Sequence, residues 1–381
     1  MEAGRKYEVS VVASLEGVEE AHWQQLSGSN PFVGHKFLSL MQSTGCVGAR
    51  KGWLPQYVLL HRDEQLVGAS ACYLKSHSRG EFVFDQGWAE AFERHGLKYY
   101  PKLLVAAPFT PVQGPRLLAQ DSQAREVLVQ ALLALTKSAG GSSAHVLFLE
   151  DDDREVLTAA GFMVREGVQF HWRNEGYASV DDFLAKLSHD KRKKIRQDGK
   201  YVSQAGITYS ALQGQDISGE HLEFFYSCYT NTYREHWSTP YLSLEFFQEA
   251  HRTRALDFVL ILAQREGSSV ACALNVRGQG ALYGRYWGTT EFIRGLHFET
   301  CYMQSIAYCI REGIEYFEGG AQGEHKMARG LLPTKTFSAH WVADRRFADA
   351  IEDFLQRETR AINEYVDGLD ASSPFKDAQQ S

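Results

Sequence analysis

Asp257-Phe258-Val259-Leu260-Ile261-Leu262-Ala263 runs apolar into the polar turn Arg265-Glu266-Gly267-Ser268, and the chain leaves that turn as Ser269-Val270-Ala271-Cys272-Ala273-Leu274-Asn275. An apolar run, a glycine-bearing turn and a second run of small and β-branched residues read as a β-hairpin. The same design occurs earlier. Gln56-Tyr57-Val58-Leu59-Leu60-His61-Arg62 leads through Asp63-Glu64-Gln65 into Leu66-Val67-Gly68-Ala69-Ser70-Ala71-Cys72-Tyr73. Helical periodicity precedes both hairpins, at His35 to Thr44, and at Glu220 to Trp237 and Leu244 to Arg254. A helix and a strand follow each: Ala124 to Ser138 with His145 to Leu149, and Leu296 to Glu312 with Ile314 to Glu318.

The order helix, hairpin, strand, helix, strand thus occurs twice, which predicts a duplicated α/β (α+β) fold of two tandem domains. Each is expected to be a mixed twisted sheet flanked by helices. The boundary falls where a strand gives way to polar sequence between Trp172 and Val180. That gives domains 1–175 and 176–370, with 371–381 as a flexible tail. In the first half, Glu81 to Leu118 is rich in glycine, proline and aromatics and reads as a long irregular insertion. The second half has the compact strand Ala281 to Trp287 there, so it is expected to hold the better-formed site.

At 381 residues, 44% of them hydrophobic, with 22 Phe and 18 Tyr, the chain can fill two cores. The net charge of −7 argues against a general nucleic-acid coat protein, yet leaves room for a small basic patch for one RNA or phosphate ligand. Cys46, Cys72, Cys228, Cys272, Cys301 and Cys309 form no C-x-x-C pair and read as reduced thiols. Met1 to Ser14 has no apolar signal core, and no run of apolar residues is long enough to span a bilayer, so a cytoplasmic location is expected. H-E-x-x-H, G-x-S-x-G and G-x-x-x-x-G-K-[ST] are absent, which argues against zinc protease, α/β-hydrolase and P-loop readings.

Three stretches carry a family resemblance. They are Lys191-Arg192-Lys193-Lys194-Ile195-Arg196-Gln197-Asp198-Gly199-Lys200; Leu282-Tyr283-Gly284-Arg285-Tyr286-Trp287-Gly288 with His297-Phe298-Glu299-Thr300-Cys301-Tyr302; and Phe317-Glu318-Gly319-Gly320-Ala321-Gln322-Gly323-Glu324-His325-Lys326-Met327-Ala328-Arg329-Gly330. With them the chain resembles the FemAB-like group of bacterial tandem-GNAT proteins, described as N-acyltransferases or peptidoglycan-biosynthesis-like proteins. The resemblance covers roughly residues 5 to 368. It implies two GNAT-like domains and acylation of a small-molecule or peptide amine. It also implies acyl-CoA or aminoacyl-tRNA as co-substrate, with no metal and no tightly bound cofactor. The GNAT phosphate loop has the form Q/R-x-x-G-x-G/A, and this chain offers only Arg294-Gly295 there. Arg294 and Gly295 are therefore the cofactor-facing candidates, acetyl-CoA is expected to bind weakly, and aminoacyl-tRNA is favoured.

Acyl transfer from an activated carrier needs positioning, deprotonation of the amine and oxyanion stabilisation. Glu318 closes an apolar strand ahead of Gly319-Gly320, where open α/β sheets place ligands. It fits either a general base or an anchor for Arg285 or Arg329. His325 and Lys326 crowd charge into the following glycine-rich loop and complete the catalytic candidates, with Arg329 beside them as a substrate-binding one. Tyr283, Arg285 and Trp287 alternate on one face of a strand, and Gly284 beside Arg285 suggests a bulge that frees a backbone N–H. Glu299, in the first turn of a helix, and the basic run with Lys191, Arg192 and Arg196 complete the binding candidates, the run being suited to a polyanion such as tRNA. A rival reading is a binding protein with a vestigial site for a cell-wall precursor or nucleotide conjugate. Convergence of Glu318, Arg285 and Lys326 on one pocket would favour the enzyme.

Overall fold

The computed structural model describes residues 7–321 and 323–376. In chain order the strands are β1 (Tyr7–Val12), β2 (Trp53–Arg62), β3 (Gln65–Lys75), β4 (Lys102–Val105), β5 (Leu118–Ala119), β6 (Ser143–Leu147), β7 (Met163–Arg173), β8 (Ile207–Gln213), β9 (Asp257–Arg265), β10 (Ser268–Gly278), β11 (Ala281–Thr289), β12 (Tyr316–Glu318) and β13 (Leu332–Val342). Two compact units result. The first runs to Gly167 and takes in Lys335–Asn363; the second comprises Val168–Thr334 and the segment from Glu364.

In the first unit β1, β2, β3 and β4 pair antiparallel in that order, β4 pairs parallel with β6, and β6 pairs antiparallel with β13. In the second, β8, β9, β10 and β11 pair antiparallel in order, β11 pairs parallel with β12, and β12 pairs antiparallel with β7. The two patterns are identical, so the duplication read from the hairpins is present. Each sheet is closed by a strand from elsewhere in the chain. Residues 168–173 of β7 follow the first unit's helices yet lie beside β12, and residues 335–342 of β13 follow β12 yet lie beside β6.

Local chemistry sets the helices. Asp121 and Ser243 accept the first free N–H groups of Ser122–Ser138 and Leu244–Arg252. Ser218 and His221 form a reciprocal capping box on Gly219–Glu235. In the first unit Leu128 and Leu132 pack onto Val58, Leu60, Val105 and Val146. In the second, Trp172, Leu282 and Phe317 of the sheet meet Phe183, Ile306 and Cys309 of the helices.

Three expectations change. The segment Glu81 to Leu118 is not wholly irregular: it forms the helix Gln86–Arg94 and β4, which occupies in the first sheet the place of β11 in the second. With only four residues, β4 is too short to show a period. The helix expected from Leu296 to Glu312 is interrupted by a π-turn at Glu299–Met303, where the Thr300 hydroxyl bonds back to Leu296 O at 2.7 Å. Finally, part of the supposed tail is docked. Phe375 bridges to Leu187 and packs on Phe183, adding an apolar ring to the second core. Residues 377–381 lie outside the described part. Among the described residues no helix is long and apolar enough to cross a membrane.

Candidate functional site

Parallel pairing between β11 and β12 lasts three residues, Ala281↔Tyr316, Leu282↔Phe317 and Tyr283↔Glu318. Beyond Tyr283, β11 continues to Thr289 while its partner turns away through Gly319 and Gly320. On the other edge of β11, Tyr286 pairs with Leu274 and Gly284 with Asn275, so Arg285 is the extra residue of a β-bulge. The bulge expected at Gly284-Arg285 is present. Gly284 permits the close approach of the two strands, since a Cβ there would sit 3.0 Å from Glu318 O and 3.3 Å from the Phe317 ring.

The opened strands border a cavity of about 110 Å³ lined by Gly284, Arg285 and Trp287, by His297, Cys301 and Tyr302, and by Gly319 and Gly320. Arg285 is half-buried, with its guanidinium 5.2 Å from the Tyr286 ring. His297 lies against Trp287, ring centroids 5.0 Å apart. Burial, with His325, Arg329 and Lys326 adding repulsion, lowers its pKa to about 4, so the imidazole is neutral at pH 7.

The turn Glu324–Arg329 brings three more candidates to this side. Lys326 is 2% exposed and its Nζ donates to Gly320 O at 2.7 Å. Among the described residues no carboxylate pairs with it. Burial pulls its pKa down to about 8, against a smaller upward pull from Cys301. The result is a nearly dry ammonium held by one carbonyl of the cavity wall. His325 lies by Phe298 and Tyr302, whose hydroxyl is 3.4 Å from Nε2, and burial lowers its pKa. Arg329 is already engaged: it donates to Asp198 Oδ2 at 2.8 Å and stacks 3.7 Å over the Phe298 ring. That pair straps the turn to the helix His189–Gln204.

Glu318 is buried but does not line the cavity, and Lys326 stands behind its Gly319-Gly320 wall, so of Glu318, Arg285 and Lys326 only Arg285 lines it and the three do not converge on one pocket. Alternation along β12 puts Phe317 on the cavity side and groups Glu318 with Tyr316. The Tyr316 hydroxyl lies 3.4 Å from Glu318 Oε1 and bonds closely to His171 Nδ1, and His171 Nε2 reaches Gln169 Oε1 at 3.1 Å. Burial, with Lys326 and Arg173 adding to it, lowers the His171 pKa to about 3. Sequence reasoning missed His171, Tyr316, His297, Tyr302 and Asp198. The signal for His171 is a polar residue between Phe170 and Trp172 on an otherwise apolar strand.

The other candidates sit apart from the cavity. Tyr283 pairs in register with Glu318 and lies on the Tyr316 side, so Tyr283, Arg285 and Trp287 do not share one lined surface. The cause is the bulge, which breaks their alternation. Glu299 accepts from Gln304 Nε2 at 2.9 Å and has its pKa raised by burial. Gly295, at φ +84°, lies where a Cβ would be 2.9 Å from Asp198 O, so this glycine serves packing onto the basic helix. Arg294 is exposed and stacks 4.2 Å over Tyr201. On the basic helix, Arg192 donates to Leu187 O at 3.3 Å, Arg196 reaches Asp181 at 3.5 Å, and Lys191 is half-buried.

No curated protein matches the chain. Among solved structures, FemX superposes at a TM-score of 0.55 with 12% identity, covering 90% of this chain and 100% of that one. L-PGS from Bacillus licheniformis gives 0.54 at 10% identity, covering 93% and 98%. A conserved protein of unknown function from Bacteroides thetaiotaomicron gives 0.54 at 12%, covering 87% and 99%. Such identities show the fold alone, and the fold is the tandem GNAT-like arrangement that the repeated pairing pattern describes. The FemAB-like family, described as peptidoglycan biosynthesis/recognition, matches residues 14–377. That match supports a transferase, and the chain belongs to the FemAB-like family.

Proposed function

We propose that this chain is an N-acyltransferase that moves a small acyl or aminoacyl group from an activated carrier to an amine by direct attack. The observation that carries the reading is the opening of β11 from β12 at a bulge, beside a buried ammonium. From Gly284 onward β11 has lost its parallel partner, so its backbone can offer an N–H to the donor carbonyl. As the amine nitrogen bonds to the carbonyl carbon, negative charge grows on the carbonyl oxygen, and the Lys326 ammonium supplies a fixed cation. Collapse breaks the bond to the carrier, and the departing oxygen or sulfur of the carrier takes the proton lost by the amine, since Glu318 lies outside the cavity. A cavity of about 110 Å³ is smaller than the ~150 Å³ cavity that accepts a benzene ring, which suits an acetyl, glycyl or alanyl group.

The packing of Gly295 against Asp198 supports aminoacyl-tRNA over acyl-CoA as the carrier, because the glycine is taken up by a helix contact. The exposed Lys193, Lys194, Arg196 and Lys200 offer a path for its phosphates. The test is transfer of radiolabelled alanine from alanyl-tRNA, and of acetyl from acetyl-CoA, to lysine-containing peptides and to free diamines. Label appearing in an amide product supports the proposal. Binding of these donors and acceptors without product would make the chain a recognition protein and refute it.

A further inference from the structure

The insertion in the first unit, which the transfer reaction leaves unused, builds a second cavity. Helix Gln86–Arg94 and the start of helix Arg345–Asp370 enclose about 730 Å³, within the roughly 300–1,000 Å³ of small-molecule sites. Its walls are Phe84, Trp88, Leu97, Phe347, Ile351 and Phe354. Trp88 and Ile351 are buried at 8% and 5%, whereas Phe84 and Phe354 expose 57% and 40% of their surface at the rim. Grouped exposed rings of this kind mark a surface meant to be covered.

The charge of the lining has one sign. Arg165 and Arg346 contribute to it, and no Asp or Glu does. Arg165 is held by Glu358 at 2.7 and 2.8 Å and donates to Phe84 O at 2.6 Å, which makes it part of the wall. Arg346 is 81% exposed. Asp344 engages its Nε and Nη2, and among the described residues nothing bonds its Nη1.

The wall is also fixed in advance. Asp85, immediately before helix Gln86–Arg94, is buried, bonded closely to Lys102 Nζ, and accepts from Tyr99 O–H at 2.6 Å. Lys102 also meets Glu81 at 2.7 Å, and Glu81 meets Lys75 at 3.3 Å. Two ammoniums and two carboxylates out of water form an anchor whose members depend on one another. It holds the residues that lead into the cavity wall.

We propose that this cavity binds a single-chain anionic amphiphile, its hydrocarbon tail along Trp88, Phe347 and Ile351 and its carboxylate or phosphate at Arg346. The site lies within the first unit and stands independently of the transfer reaction proposed for the second. The experiment titrates decanoate and decyl phosphate, below their micellar concentrations, into the full chain by calorimetry. Decyltrimethylammonium serves as the cationic control. The variants are Ala350→Trp, which fills the mouth from an exposed lining position, and Arg346→Gln.

One anionic probe or both should bind saturably to a single site, and which of the two binds identifies the head group. Ala350→Trp should weaken binding by about tenfold or more with Tm unchanged, Arg346→Gln by about threefold to tenfold, and the cationic probe should bind about tenfold more weakly. Absence of saturable binding, indifference to Ala350→Trp, or equal binding of the cationic probe overturns the proposal. So does a change of oligomeric state with Ala350→Trp in sedimentation, which would make the cavity a contact between copies of this chain.

Discussion

Replacing Lys326 by Met should stabilise the protein while disabling it. Met keeps an unbranched stem and removes the ammonium, which is 2% exposed and, among the described residues, bonded to Gly320 O alone. Burial lowers the lysine pKa from 10.5 to about 8, and at ~1.4 kcal/mol per unit that corresponds to a cost of about 3 kcal/mol at pH 7. Losing the hydrogen bond to Gly320 O returns about 1 kcal/mol, so the variant should be more stable by about 2 kcal/mol at pH 7. Between pH 8 and 10.5 the unfolded wild-type chain binds more protons at this residue than the folded one, so wild-type stability rises with pH there. The advantage of the variant should therefore shrink through that window and vanish near its upper end. Urea unfolding of both proteins at pH 7, 9 and 10.5 measures this, with other titrating groups common to both. Transfer activity should fall by about 10²–10³, as for loss of an oxyanion donor. A variant that is less stable at pH 7, with a gap independent of pH, would refute the reasoning.

Glu318→Gln should change kcat by less than about tenfold, because Glu318 faces Tyr316 outside the cavity, and Tm should hold because Gln keeps an oxygen for the Tyr316 hydroxyl; a fall of roughly 10²–10⁴ in kcat at unchanged Tm would instead make Glu318 the general base. Gly295→Ala should destabilise the protein by about 1–3 kcal/mol in urea unfolding, because of the positive φ and the approach to Asp198. Unchanged stability would return that glycine to the ligand-binding candidates. Replacing Lys193, Lys194, Arg196 and Lys200 together by Gln should reduce the salt slope of tRNA binding by about one unit per lost phosphate contact, measured by filter binding. An unchanged slope would mean that those cations only face solvent.

What the sequence made legible follows local pattern. The hairpins β2–β3 and β9–β10 are apolar runs around turns with positive-φ residues, so both could be read at once. β4 could not, because Lys102–Val105 holds four residues and its strand character comes from its neighbours β3 and β6. In the candidate site, Gly284-Arg285 was legible because a glycine beside a charge interrupts an aromatic strand. The contact of Arg329 with Asp198 and the chain from Glu318 to His171 join residues far apart in sequence, and no spacing rule encodes such meetings. Gly295 could not be assigned from spacing for a related reason: a glycine for close approach looks the same whether a phosphate or a helix backbone approaches it.

The exchange of β7 and β13 bears on how the chain is made. On the ribosome, β6 emerges long before residues 335–342, the strand that covers its open side. At roughly 5–20 residues per second, that edge waits on the order of 10–40 s for its partner. During synthesis the amino-terminal half is thus an unfinished sheet with unsatisfied N–H and C=O groups, open to pairing with a neighbouring nascent chain. A gene cut between the repeats would keep each product in that state indefinitely, so the duplicated halves can diverge in role but are tied together as a single inherited and cotranslated unit.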